Sequence, residues 1–288
     1  MGDSSAKRPK VFLVGNPDKP EVPEVMAELR EWLAERAEVV GAVIGRDTGS
    51  LAKTDVDLVI VLGGDGTVLG VARAMGAAQQ PVVGVNLSGK LGYLAEFSAE
   101  GLKEHFTEIV GDCSSVCERM MIHVSVRRAD GGENFASLAA NDCVIHAGPP
   151  FRVVNLDVRI DGEVITTVTS DGLILATPTG STAYNVSADG PIVDPAADAI
   201  CLTPICPHSL THRPLVVGGD KTVEVVLCRA NKGSALAIDG QVLAPLSVGD
   251  AVRVRRADSH FRLIRDPSHS PWHTLVTKLR WGQAPARV

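Results

Sequence analysis

The chain has 288 residues, 45% of them apolar and 22% charged, which is enough for more than one domain with a buried core. Its formal charge of -6 leaves no basic surplus to neutralise a nucleic-acid backbone, and no apolar run approaches the roughly 18 to 20 residues that span a bilayer. Neither nucleic acid nor membrane is therefore expected as a partner, and the small polar start of the chain lacks the apolar stretch of a secretory signal, so residues 1–9 read as a disordered tail on a cytoplasmic protein.

In chain order, residues 10–14 are apolar and β-rich, and 21–37 carry Val25, Met26, Leu29, Trp32 and Leu33 at helical spacing. Residues 39–44 and 57–62 read as strands, 67–78 as a helix, 81–85 as a strand and 99–110 as a helix. Strands and helices alternating in this way predict βαβ units, that is, an α/β domain with a parallel, Rossmann-like sheet over 10–112. From residue 113 the texture changes. Short β-rich runs at 122–128, 136–146, 153–160, 173–176, 222–228, 235–239, 251–255 and 261–264 alternate with Gly, Asp, Asn and Pro turns, so 113–270 is expected to be a mostly-β domain. The last run, 272–281, has Leu275, Val276 and Leu279 at helical spacing and belongs to a terminal segment, 271–288, expected to return to the first domain.

Six cysteines, at 113, 117, 143, 201, 206 and 228, form no Cys-x-x-Cys pair and read as buried free thiols. His208 and His212 have the spacing of a helical metal pair, but they lie in the Pro-flanked stretch 204–214, so the sequence identifies no metal ligand.

The most informative stretch runs from Asp57 to Thr67, where an apolar strand enters Gly63-Gly64-Asp65-Gly66-Thr67 just before a helix. Glycines at a strand end let backbone amides face an anion, and the helix N-terminus adds positive dipole. A carboxylate in such a place repels phosphate, so Asp65 is either a helix cap or a group with its own chemical task. The dinucleotide fingerprint fails, because Leu69 stands where a third glycine is needed. A Walker-type loop at Gly84 to Lys90 fails as well, because Leu91 has no hydroxyl for a metal.

Further polar islands are Leu91-Gly92-Tyr93-Leu94, Asn141-Asp142, the glycine-rich segment 169–187, Asp239-Gly240-Gln241 and the closing stretch 272–281. With these in family order, the chain resembles the NAD kinases over residues 10–281. The resemblance implies transfer of a phosphoryl group from ATP, or from inorganic polyphosphate, to the 2′-hydroxyl of the adenosine ribose of NAD, with magnesium or another divalent cation. It further implies a homodimer or homotetramer with the active site between the two domains. Asp65 takes the place of the catalytic base, and the amides of Gly63, Gly64, Gly66 and Thr67 that of the phosphate holders. By the same resemblance NAD contacts fall on Asp65, Gly66, Asn141, Asp142, Arg152, Thr169, Asp171, Thr182, Ala183, Tyr184, Ser187 and Gln241. Asp142 stands where many relatives have Glu, Thr169 where many have a basic residue, and the loop 86–94 is one residue longer than usual, with Lys90 inside it. The bland alternatives are a turn-forming Asn141-Asp142, a capping Ser181 or Thr182, and a type I′ hairpin turn at Asp239-Gly240. Two other functions share parts of the pattern. A diacylglycerol- or sphingosine-type lipid kinase has a similar glycine turn but lacks the Asn-acidic pair and the 177–187 segment, and a non-catalytic dinucleotide sensor has no need of a base at Asp65.

Overall fold

The apolar run before the glycines is a strand, Leu58–Leu62, in which every residue is buried. A run without polar alternation is what a parallel sheet covered on both faces requires, and this strand lies between two parallel neighbours. The computed structural model describes residues 8–45, 48–89, 92–111, 116–131, 134–149, 153–268, 270–279 and 281. The chain divides into two units: the described residues up to 71, 80–117 and those from 262 on form one, and 72–79 with 118–261 form the other. Residues 1–7 of the expected tail, Lys90, Cys113 and Arg152 lie outside the described residues.

The first unit contains β1 (Lys10–Gly15), α1 (Val22–Leu33), β2 (Glu38–Ile44), β3 (Leu58–Leu62), the start of α2 (Asp65–Met75), β4 (Val82–Val85) and α3 (Ala99–Gly111). The strands lie in the order β2-β1-β3-β4, all parallel, and Leu263 and Ile264 add a further parallel partner beside Val82 and Val83. Helix α1 carries a proline in its first turn, where the missing N–H is no loss, and buries Val22, Met26, Leu29 and Leu33 as one stripe. That stripe packs with Leu13, Ile60, Val85, Phe97, Leu102 and Phe106 into one core. Helix α2 begins two residues earlier than its apolar spacing predicts, because the carbonyl of Gly64 already accepts from the amides of Thr67 and Val68 and closes the first turn.

The second unit holds most of β5 (Val116–Arg127), then β6 (Phe135–Ala139), β7 (Asp142–His146), β8 (Val154–Ile160), β9 (Glu163–Ser170), β10 (Gly172–Ala176), the short helix α4 (Tyr184–Ser187), β11 (Ala199–Ile205), β12 (Leu215–Gly218), β13 (Val223–Arg229), β14 (Ala235–Ile238), β15 (Val242–Pro245) and most of β16 (Ala251–Ile264). One sheet runs β12-β11-β10-β7-β14-β15, antiparallel at every pair. The other carries β16-β13-β8-β9, with β5 pairing β16 and β6. Alternate residues of both sheets, among them Ile145, Leu173, Leu175, Leu236, Leu156, Val158, Val225 and Val254, form a shared core, as in a β-sandwich. Strand β10 is buried at every position because its other face, with Ile174 and Ala176, is covered by Ala188 and Val193 from the segment that follows it. The last described helix is α5 (Pro271–Leu279), counted with the first unit.

The expected run 136–146 is two strands, because the chain turns at Ala140 and Asn141, and the runs 251–255 and 261–264 are one strand, β16. Strands β9, β11, β12 and β15 have no counterpart in the sequence-based reading. The cysteine expectation is corrected in part. The five described cysteines are free, but only Cys143 and Cys201 are buried, while Cys206 and Cys228 are exposed.

Gly84 shows how tightly β4 meets the loop after it. A Cβ at this position would fall 2.7 Å from Ala95 Cα and 2.8 Å from the Leu94 carbonyl, both backbone atoms that cannot swing away, whereas a Cβ on Gly64 meets nothing within 4 Å. Gly84→Ala should therefore lower stability by about 1–3 kcal/mol, and Gly64→Ala should leave the thermal midpoint near that of the parent. Circular dichroism melts of the two variants check this, and equal midpoints would contradict it.

Candidate functional site

In the first unit, Asp65 is the opening residue of α2, yet its carboxylate bonds to a different segment. Its Oδ1 accepts from the backbone N–H groups of Leu94 at 2.9 Å and Ala95 at 3.0 Å, and its Oδ2 from that of Tyr93 at 2.9 Å. Gly92 makes the approach possible, since a Cβ there would lie 2.0 Å from Asp65 Oδ1. An ionised carboxylate offers about four acceptor positions. Three are filled among the described residues, and the fourth is on Oδ2. The Tyr93 phenol oxygen is buried without a hydrogen-bond partner among the described residues, and burial first, then the charge on Asp65, pushes its pKa up.

The glycines around Asp65 divide into two kinds. The Gly63 N–H donates to the Val85 carbonyl at 2.9 Å and the Thr67 N–H to the Gly64 carbonyl at 2.9 Å, so both amides are spent inside the fold. A Cβ on Gly63 would lie 2.5 Å from Thr67 Oγ1, which makes this glycine a packing requirement. Gly64 is the one of these two that faces open space.

In the second unit a carboxylate that the sequence placed only in a turn gathers the expected residues. Asp239, whose side chain is fully buried, accepts at Oδ1 from the amides of Asn141 at 2.8 Å and Asp142 at 3.1 Å, and at Oδ2 from that of Ala140 at 3.2 Å. Its Oδ2 also takes Arg73 Nη1 at 2.7 Å, and the other arm of the same guanidinium meets Gln241 Oε1. Asp239 and Gly240 both have positive φ, and the Gln241 amide closes the turn onto the Ile238 carbonyl, so the type I′ hairpin turn is real as well. The strand-to-helix bend docks on the same place. Thr177 gives its N–H to the Asn141 carbonyl and its hydroxyl to the Ala140 carbonyl, and a Cβ on Gly180 would lie 2.1 Å from the Asn141 carbonyl oxygen. Held from both sides, the Asn141 side chain keeps its Oδ1 buried with no partner among the described residues.

Asp142 is 4% exposed and forms no ion pair among the described residues. Burial, and then the neighbouring Asp239, raise its carboxyl to about 7. Strand β7 carries the chain from Asp142 to His146 over about 14 Å, four steps of about 3.4 Å. At that far end His146 stacks on Tyr184, ring centroids 5.9 Å apart, and burial keeps the imidazole below its usual pKa. Tyr184 leaves 41% of its surface exposed. Asp171 is exposed nearby in the ladder, its carbonyl accepting from Ala147 and its successor Gly172 paired with His146.

The other expected positions spread around this strand. Thr182 and Ala183 are half-buried in the bend, and Ser187 is exposed at the end of α4. Asn185, between them, is structural: fully buried, it donates to the Ser181 and Pro191 carbonyls and accepts from Thr203. Thr169 sits on β9 with its hydroxyl on Asn155 Oδ1. Sequence reasoning missed Arg73 and His146, and read Asp239 as a turn residue only. The signal for Asp239 was the left-handed turn itself, since a hairpin turn already explained it; Arg73 and His146 left no local signal.

Two family models match the chain, one described as the ATP-NAD kinase N-terminal domain over residues 43–113 and one as the ATP-NAD kinase C-terminal domain over residues 140–266. The NAD kinase of Rhodopirellula baltica is 40% identical over 275 residues, covering 95% of this chain and 87% of that protein. The NAD kinase of Geotalea daltonii is 39% identical over 283 residues, covering 95% and 99%. Among solved structures, yeast NADH kinase complexed with NADH superposes with a TM-score of 0.85 at 27% identity over 99% of this chain and 90% of that one. An NAD kinase from Archaeoglobus fulgidus in complex with ATP gives a TM-score of 0.76 at 23% identity, over 94% and 98%, and bears on the fold alone. Matched in both domains and about 40% identical to NAD kinases along nearly its whole length, the chain belongs to the NAD kinase family.

Proposed function

We propose that Asp65, through Oδ2, is the general base of the NAD kinase reaction, taking the proton from the 2′-hydroxyl of the adenosine ribose as the phosphoryl group of ATP arrives to give NADP. A ribose hydroxyl is a weak nucleophile near neutral pH, and a positioned carboxylate typically contributes about 10²- to 10⁴-fold. The observation that carries this reading is the three-amide grip on Asp65, which fixes the carboxylate and leaves one acceptor position, on Oδ2, for a hydroxyl. The phosphate is assigned to the glycine turn, with Gly64 and Gly66 as holders.

For NAD, Asn141 and Asp142 suit a vicinal diol: an amide both donates and accepts, and a carboxyl that titrates near 7 can do the same below that pH. Tyr184 supplies an exposed aromatic face for a ring of the dinucleotide. Arg152, Thr169, Asp171, Thr182, Ala183, Ser187 and Gln241 complete the NAD contacts in this reading, Gln241 with its Oε1 already on Arg73. ATP as donor finds support in the two matching ATP-NAD kinase family models, and NADH as a second acceptor in the yeast relative solved with that molecule. Among the described residues no group of three His, Cys, Asp or Glu side chains is gathered to cage a metal. A magnesium ion would come with the donor's phosphates, ask for at most one or two protein carboxylates, and offset charge on the transferred group. A homodimer or homotetramer is part of the same reading, supported by exposed Leu215 and Val216 on the edge strand β12. So is a cytoplasmic location; no helix among the described residues is long and apolar enough to cross a membrane.

Asp65→Asn should cut kcat for NADP formation by about 10²-fold or more while NAD binding, measured by calorimetry, stays intact. A fully active variant would remove Asp65 from the mechanism. A second expectation concerns pH. The folded protein holds a proton on Asp142 that the unfolded chain releases above the ordinary carboxyl pKa, so the stabilisation is complete below about pH 4 and is lost as pH rises through about 7. Between about pH 5 and pH 8 the thermal midpoint of the parent should fall more steeply than that of Asp142→Asn, and parallel curves would show that Asp142 ionises freely.

A further inference from the structure

Glu96 follows directly on the three residues whose amides hold Asp65, and it is the only charged side chain between Tyr93 and Phe97. It is 4% exposed and takes Arg265 in a fork: Nε lies 3.0 Å from Oε1 and 3.2 Å from Oε2, and Nη2 lies 2.6 Å from Oε1. The Asp266 amide adds a bond to Oε2 at 3.3 Å. Stability alone explains such a pair poorly, because taking two charges out of water costs about as much as their attraction returns, and apolar replacements are often neutral or stabilising. What a forked pair does supply is geometry. The loop it anchors is further fixed by the Gly92 amide on the Ala95 carbonyl and by Phe97 against β4, and Glu96 ties its exit to Arg265 and Asp266 after β16.

We infer that Glu96 and Arg265 are a positioning pair that holds the Tyr93–Ala95 amides on Asp65, so that their loss is felt in turnover and not in NAD binding. The inference rests on the reading of Asp65 as base. Neither residue touches the reacting atoms; both act through the backbone of the loop. A displacement of Glu96 moves the Ala95 amide with it, and misplacing a catalytic group by about 1 Å can cost about 10²-fold in rate.

The test is a double-mutant cycle with steady-state kinetics, NAD calorimetry and thermal melts on the full-length protein. Glu96→Gln and Arg265→Met should each lower kcat roughly 10- to 100-fold with an unchanged Kd for NAD. Arg265→Lys, which keeps the charge but not the fork, should recover part of the loss and serves if Glu96→Gln does not fold. In an Asp65→Asn background the same changes should cost nothing further, because the base they position is already gone. An undiminished kcat in Glu96→Gln and Arg265→Lys, or the same proportional loss with and without Asp65, overturns the inference. Full activity of Asp65→Asn alone sinks the base assignment, and the positioning role with it, whereas a loss there together with an unaltered Glu96 effect sinks the positioning role only.

Discussion

Each unit is organised by one aspartate that collects three consecutive backbone amides. Asp65 holds those of Tyr93, Leu94 and Ala95, and Asp239 those of Ala140, Asn141 and Asp142. Three successive N–H groups that converge on one point are not paired in a helix or a strand ladder, and buried amides left unpaired cost about 1–3 kcal/mol apiece. An anionic acceptor resolves this at one point, with bonds stronger than neutral ones. The irregular turns that carry the functional side chains exist because a carboxylate is there to receive them. Asp250 works on the same principle at a third place, taking the amides of Ala129 and Ser247 and the guanidinium of Arg128.

The two neighbouring carboxyls of the second unit illustrate how charge is divided. Asp239 has Arg73 against it, while Asp142 has burial and the Asp239 charge, both of which favour its proton. With the one guanidinium taken by Asp239, Asp142 is left to keep its proton up to about 7. The stretch from Asn141 to His146 thus begins at an electrostatically poised end and finishes at an aromatic one, where His146 backs the exposed face of Tyr184.

Periodicity made the first unit legible: the unbroken apolar run of β3 and the stripe of α1 follow from burial on both faces and on one. The glycine turn was legible too, because glycine advertises backbone demands. The partner of Asp65 was not, since the loop at 93–95 lies nearly thirty residues on and its contribution is backbone, which has no sequence. Arg73 and Asp239 stand 166 residues apart, and a pair of that separation leaves no local trace. Among the missed strands, β9 carries exposed Val164 and Ile165 among threonines, and β12 and β15 have four residues each, so their apolar pattern is either reversed or too short to read. Asp239 was legible as a turn and illegible as a hub, because one residue does both.

Strand β16 pairs at its start with β13 and at its end, through Leu263 and Ile264, with β4. A ribosome delivers the chain from the N-terminus, and most domains complete themselves as they emerge. In the first unit one part comes late. Its sheet waits for a partner made some 180 residues after β4, and the whole sandwich must be synthesised in between. Until then Val82 and Val83 of β4 lack their partner on that edge, the kind of surface that recruits wrong strands. Completion of that sheet therefore comes late in synthesis, and a truncated chain ending before Arg262 carries every residue of the glycine turn without the strand that finishes its sheet.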